Sequence, residues 1–244
     1  MSKAMDYISN IERLIKEVKE TQIQALEEAA KTISQCLISG GMIYTFGTGH
    51  SHMLAEEIFY RAGGLVRVNP ILDEGLMLHA GAVKSTSLER LHGYAKALLD
   101  NYPVQKDDVI IIASNSGRNT VSIEMAIEAK KRGMKVWALT NLKHSKSVAS
   151  RHESGKLLYE LADIIIDNCG SIGDASMEFD RIGNVGPTST VMGAMLLHAI
   201  ICEAIEIMLG KNVVPEVFSS SNVDGGDRIN KSLIDKYSKK IKSL

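Results

Sequence analysis

The run Ser114-Asn115-Ser116-Gly117-Arg118-Asn119-Thr120 crowds hydroxyl, amide and guanidinium groups around a single glycine. It follows the apolar residues 109–113 and precedes a segment of helical spacing, so it reads as a turn from strand into helix. Free backbone N–H groups at a helix N-terminus, joined by hydroxyls, suit a phosphate-like anion. Gly117 lets the backbone turn tightly and approach a ligand. An ordinary N-cap asks for one Ser, Thr, Asp or Asn, and this loop offers several. A second run, Gly47-Thr48-Gly49-His50-Ser51, opens like a dinucleotide fingerprint. Its third glycine is missing, and the following strand ends Val68-Asn69-Pro70 without an acid for a ribose. Both departures argue against a nicotinamide dinucleotide.

The surrounding elements must bring these two loops together. Ile8, Ile11, Ile15, Val18, Leu26, Ile33 and Leu37 recur at helical spacing, predicting one or two N-terminal helices stopped by Gly40-Gly41. Residues 42–46 read as a strand, followed by the first loop and a helix to about Arg61, which Gly63-Gly64 ends. A second strand is expected at 65–68, then a loop at 71–84 with one helical turn. Thr86 and Glu89 have capping-box spacing and predict a helix from there to about Asp100. Strands follow at 109–113, 135–139 and 162–166, the first of them apolar on both faces. A glycine-rich loop, either a lid or simply mobile, spans 168–187, and Pro187-Thr188-Ser189 opens a long apolar helix. The tail 211–244 is polar except for Val213, Val214, Val217 and Phe218.

Strands alternate with helices, and no two strands sit at hairpin spacing. The pattern predicts an α/β fold: a doubly wound, five-stranded parallel sheet flanked by helices, a three-layer architecture of the flavodoxin type. One domain is expected, with a helical segment at 1–40, the core at 41–210 and the tail at 211–244. The loops after strands one and three then meet at the switch point, where such sheets bind ligands.

Composition narrows the function. Of 244 residues, 45% are hydrophobic and 23% charged, which excludes a disordered chain. Lys+Arg at 28 against Asp+Glu at 29 gives net charge −1 and no basic stripe for nucleic acid or an anionic membrane. His198, Glu203 and Glu206 interrupt the apolar stretch 192–209, so it reads as a buried helix rather than a membrane span. Cys36, Cys169 and Cys202 are scattered and odd in number, as free thiols in a reducing compartment would be. The first 30 residues carry no apolar run, and the expected location is cytoplasmic.

Taken in order, the 47–51 and 114–120 motifs resemble the SIS, or sugar-isomerase, domain family, over about residues 30–210. The tail Phe218-Ser219-Ser220-Ser221-Asn222-Val223-Asp224-Gly225-Gly226-Asp227 is similar to a bacterial SIS branch sometimes labelled phosphoheptose-isomerase-like. The resemblance implies a phosphosugar site. Gly49, His50 and Ser51 line it from the first loop. Ser114, Asn115 and Ser116, shaped by Gly117, hold the phosphate, with Asn119 or Thr120 adding a contact. It also implies a homodimer or homotetramer whose sites a neighbouring subunit completes. The 168–187 loop, or Asp224 and Asp227, are candidates for that role.

An aldose–ketose isomerase needs a base to move a proton between adjacent carbons, and it needs no organic cofactor. Glucosamine-phosphate isomerase domains place a Glu after strand two. By that resemblance Glu74 is the first candidate for the base, and His79 is a further acid or base. Phosphoheptose isomerases instead place a Glu late in the first helix and a His early in the last one. Glu56 and Glu57 come nearly a turn too early for this, and Gly193 stands at the His position. His198 then reads as a satisfied core or interface residue. Ser116-Gly117-Arg118 is also similar to the muramic acid phosphate etherases, but Tyr60-Arg61 stand near the place of their catalytic Glu. A non-catalytic phosphosugar sensor is the third reading. Residues 1–40 are too short and not basic enough for a DNA-binding helix-turn-helix. His50, His52 and Glu56 invite a metal, yet neither H-E-x-x-H nor C-x-x-C occurs, and no metal is assigned.

Overall fold

The computed structural model describes residues 2–244. Two helices, α1 (Lys3–Thr21) and α2 (Ile23–Ile38), precede β1 (Ile43–Gly47). A 3₁₀ turn at Gly49–Ser51 leads into α3 (His52–Glu57), which ends short of Arg61. Then come β2 (Val68–Pro70), α4 (Ala82–Leu88), α5 (Tyr94–Leu99), β3 (Val109–Ala113), α6 (Thr120–Lys131) and β4 (Lys135–Thr140). The chain continues through α7 (Leu142–Lys146), α8 (Leu158–Leu161), β5 (Ile164–Asp167), β6 (Ala175–Phe179) and β7 (Gly183–Pro187). It finishes with α9 (Ser189–Gly210) and α10 (Gly226–Tyr237).

Five parallel strands form one sheet in the order β2-β1-β3-β4-β5, the doubly wound flavodoxin-type order expected from the alternating pattern. Successive side chains of a strand point to opposite faces. Ile43, Val109, Ile111, Trp137 and Leu139 therefore join a core with α1, α2 and α9. Tyr44, Phe46, Ile110, Ile112, Val136 and Ala138 join the opposite core with α5, α6 and the tail. Helix α9 is long and apolar enough, by length and composition alone, to cross a membrane. In this fold its Met192, Leu196, Leu197, Ile200 and Ile201 are buried against the sheet and α2.

Four expectations are corrected. Residues 65–66 do not belong to the sheet: Val66 N–H donates to Glu216 O and Leu65 bridges Val217 of the tail, so β2 starts at Val68. As an edge strand, β2 tolerates Pro70, which has no N–H to donate. Thr86 is no cap: it lies inside α4, and its Oγ1 bonds back to Ala82 O. The helix expected up to Asp100 is split at 89–93, where Gly93 turns at φ +76°. A hairpin does exist, since β6 and β7 pair antiparallel within the segment read as an open loop. Its strands are half exposed and lack apolar alternation, so periodicity does not reveal them. The tail is structured as well, with Phe218, Tyr237 and Ile241 buried and Asn69 bonded to Lys240 O and Lys242 N.

Candidate functional site

β1 and β3 are neighbours in register, with Gly47 opposite Ala113, so their carboxyl ends release the two loops at one level. Gly47 is required there: a Cβ on it would lie 2.3 Å from Ser51 O. Gly117 turns at φ +59°, and a Cβ on it would meet Ser145 Oγ at 3.0 Å and Leu158 Cβ at 3.2 Å. Between the loops lies a cleft of about 240 Å³ lined by Thr48, His50, Ser51, Ser114, Asn115, Ser116 and Asn119. Glu89, His144, Gly173, Asp174 and Ser189 complete its walls. A larger cavity of about 750 Å³ sits at the opposite end of the strands, around Gly41, Asp108 and Lys135. Parallel sheets bind at their carboxyl ends, so position selects the smaller cleft over the larger.

Hydrogen bonds hold the 114–120 loop open toward the cleft. Thr140 Oγ1 donates to Ser114 O at 2.7 Å, and Asn141 N–H donates to Asn115 O at 3.1 Å. Asn168 Nδ2 donates to Asn115 Oδ1 at 2.9 Å. With the carbonyls held by Thr140 and Asn141 and the Asn115 side chain braced, the N–H groups of Asn115, Ser116, Arg118 and Asn119 have no protein acceptor among the described residues. Oriented N–H groups at a helix start are the arrangement that binds anions. Buried Arg118 Nε also lacks a partner among the described residues. Its guanidinium adds positive charge beside His144 and Arg151. Burial first and Arg118 second hold the His144 pKa below the ordinary imidazole value. His144 Nδ1 accepts from Gly173 N–H at 2.8 Å, a bond that only the unprotonated nitrogen can make.

Of the residues selected from sequence, His50, Ser51, Ser114, Asn115, Ser116 and Asn119 meet in the cleft. Gly49 and Gly117 shape its loops, at φ +56° and +59°. Thr120 is buried and its Oγ1 reaches Arg151 O, so Asn119 takes the lining position. Glu74 and His79 do not line the cleft: both are exposed, on the 3₁₀ turns Glu74–Leu76 and Leu78–Ala80. Asp73 accepts from Tyr94 Oη at 2.8 Å. His50 and His52 diverge, since His50 faces the cleft while buried His52 bonds Gly49 O through Nδ1. Glu57 pairs with His198 at 2.9 Å and with Arg61 at 3.0 Å, tying α3 to α9 outside the cleft. A Cβ on Gly193 would lie 2.6 Å from Leu54 Cδ1, so a side chain there would have to displace Leu54 at the α3–α9 crossing.

Glu89, Asp174 and His144 also line the cleft, although by sequence Glu89 falls in a capping box, Asp174 falls in the 168–187 loop and His144 has no assigned role. Glu89 stands at the break after α4, where Thr48 Oγ1 donates to its Oε2 at 3.0 Å and its own carbonyl accepts from Val121 N–H. It thus touches both loop systems and carries a carboxylate into the cleft. Asp174 Oδ1 accepts from Thr188 N–H at 3.0 Å and from Ser189 N–H at 2.8 Å, capping α9 and anchoring the hairpin. The third, His144, follows β4.

A family model described as the SIS domain matches residues 6–141. A UPF0309 protein of Thermoanaerobacter pseudethanolicus is 45% identical over 245 residues, covering 98% of this chain and 99% of the relative. Among solved structures, a phosphoheptose isomerase from Francisella tularensis superposes with a TM-score of 0.55 at 18% identity, covering 84% of this chain and 98% of that one. The phosphoheptose isomerase of Neisseria gonorrhoeae gives 0.53 at 16% identity, covering 83% and 95%. At such identities the superpositions speak for the fold.

Proposed function

The chain belongs to the SIS-domain family, and on that premise we propose that its cleft takes a phosphorylated sugar and interconverts the aldose and ketose forms. The observation that carries this reading is Glu89, held by Thr48 between a phosphate-ready loop and the 47–51 loop. The phosphate lies on the N–H groups of Asn115, Ser116, Arg118 and Asn119 and on the hydroxyls of Ser114 and Ser116, which fixes the sugar's position. Glu89 takes the proton from the carbon next to the carbonyl and returns it to the adjacent carbon through an enediol, with no net oxidation. Glu89 replaces Glu74 as first candidate for the base because it alone of the two lines the cleft. His144 Nε2–H stands on the cleft wall as a donor for a sugar oxygen. The cleft is smaller than the ~300–1,000 Å³ usual for ligand sites, which supports its completion by a second copy of the chain.

The test is proton exchange in D₂O, followed by NMR over a set of sugar phosphates. Isomerisation places deuterium on the carbon beside the carbonyl and leaves every substituent in place. Glu89→Gln should lower the rate by about 10²–10⁴, the usual contribution of general base catalysis, while Glu74→Gln leaves it intact. Release of a substituent points instead to lyase chemistry, and binding without exchange points to a sensor. An unchanged rate in Glu89→Gln removes Glu89 from the mechanism.

A further inference from the structure

Behind the cleft wall, three side chains from separate segments converge. His92 lies in the break between α4 and α5, Glu124 in the second turn of α6, and His152 in the loop after α7. One ligand atom from each lies within 4.8 Å of the other two. Glu124 Oε1 is 3.5 Å from His92 Nδ1 and 3.8 Å from His152 Nε2. We infer that these three groups bind a divalent first-row transition ion of the zinc class. Glu89 of the isomerase reading is three residues from His92, but the inference does not depend on that reading.

The donor set is right for such an ion. Two imidazoles and one carboxylate with an open fourth position are a recurrent zinc arrangement. Ligand bonds of about 2.0–2.2 Å at tetrahedral angles put ligand atoms roughly 3.3–3.6 Å apart. Two of the three separations are already close to that. The remaining closure falls to His92, whose side chain is 56% exposed and free to swing.

The other two ligands are pre-set. Gly93 N–H donates to both Glu124 oxygens, at 3.0 and 2.9 Å, which fixes the carboxylate and leaves lone pairs over. His152 is 8% exposed, and its Nδ1 is 2.8 Å from Ser154 Oγ. Nδ1 also accepts from Ser154 N–H at 3.2 Å, and with an ion on Nε2 the ring proton moves to Nδ1 and is donated to the Ser154 hydroxyl, as the outer partner of a metal-bound histidine. Among the described residues, no lysine or arginine pairs with Glu124. A cavity of about 340 Å³ opens beside Glu124 and His152 and gives room for water as the fourth ligand.

The ion would staple the segments that build the cleft wall. Glu89 O accepts from Val121 N–H, Arg151 N–H donates to Arg118 O, and Arg151 Nη1 donates to Asn119 Oδ1 at 2.7 Å. The 89–93 break, the start of α6 and the 151–152 turn are thereby already in contact, and His92, Glu124 and His152 are their metal-facing groups.

The experiment uses the full chain after chelator treatment, titrated with Zn²⁺ by calorimetry and with Co²⁺ by visible absorption. The expected result is one ion per chain, an intense tetrahedral Co²⁺ band and a raised melting temperature. His92→Ala, at an exposed position that leaves the fold intact, should abolish the tetrahedral band. Glu124→Gln and His152→Ala should abolish binding, and Ser154→Ala should weaken it about 10–100-fold. His50→Ala should bind normally. No uptake by the folded wild-type chain overturns the inference, and so does uptake that persists in both Glu124→Gln and His152→Ala.

Discussion

Asp174 offers the sharpest quantitative test of the site's framework, because it combines two separable energetic features. Its carboxylate accepts from Thr188 N–H, Ser189 N–H and, at 2.6 Å, Ser189 Oγ, all at the start of the 22-residue α9. Its own backbone sits at φ +70°, in the left-handed region. Losing a carboxylate cap costs about 1–2 kcal/mol including its attraction to the helix dipole. Placing Ala in the left-handed region costs about 1–2 kcal/mol more, and Gly avoids that penalty. Asp174→Ala should therefore lose about 3 kcal/mol and Asp174→Gly about half as much. Asn keeps an acceptor oxygen and tolerates the backbone, so Asp174→Asn should lose about 1 kcal/mol or less. For a chain this long each kcal/mol moves Tm by about 2–4 °C, so the Ala variant should melt about 6–12 °C lower. Differential scanning calorimetry of the three variants should rank them Asn, Gly, Ala in falling stability. Equal melting of Gly and Ala would refute the strain argument. A wild-type Tm for Gly would refute the cap.

Other consequences follow from the buried groups. Burial pushes the Cys36 and Cys169 thiols up to about 11, while Cys202 is exposed on α9. A thiol reagent at pH 8 should modify Cys202 first, half-buried Cys169 more slowly and Cys36 only on unfolding, as peptide mapping would show. Protection of Cys202 as well would mean that a second copy covers the outer face of α9. His144 has a depressed pKa in the folded chain, so its contribution to stability is complete above the unfolded value of about 6.5. That contribution is lost as pH falls through the lower folded value, because protonation breaks the bond from Gly173 N–H. His144→Asn, which keeps an acceptor and does not titrate, should lose less stability between pH 7 and 5 in denaturant titrations. An identical pH slope in wild type and variant would show that His144 is not the titrating group.

The sheet and the polar turn that follows β3 were legible in sequence for a physical reason. Buried parallel strands must be continuous apolar runs, and the loop after β3 concentrates hydroxyl, amide and glycine residues where a strand turns into a helix. Glu89 was hidden because its three-residue spacing from Thr86 imitates a capping box. Only Gly93 at φ +76° and the carbonyl bond to Val121 reveal that the helix breaks there and turns the carboxylate inward. The β6–β7 hairpin was hidden because it is half exposed and held from outside. Tyr7 Oη donates to Pro187 O at 2.7 Å, and Asp174 ties the hairpin to α9. His144 and Asp174 come from segments far from both motifs, so only the tertiary fold brings them to the cleft. Glu74 follows β2 as an analogous position would, but Asp73 is pinned by Tyr94 and the turn leaves Glu74 facing outward.

The central claim is that the 114–120 loop holds the phosphate of a sugar phosphate, and calorimetric titration of Ser116→Ala against wild type tests it most directly. Wild type should bind one or more sugar phosphates, and inorganic phosphate more weakly, while the free sugars should not bind. Ser116→Ala, at an unchanged Tm, should lose about 1–3 kcal/mol of that affinity, the usual cost of one charge-assisted hydrogen bond. Equal affinity in the variant, or no binding of any sugar phosphate by the folded wild-type chain, would contradict it.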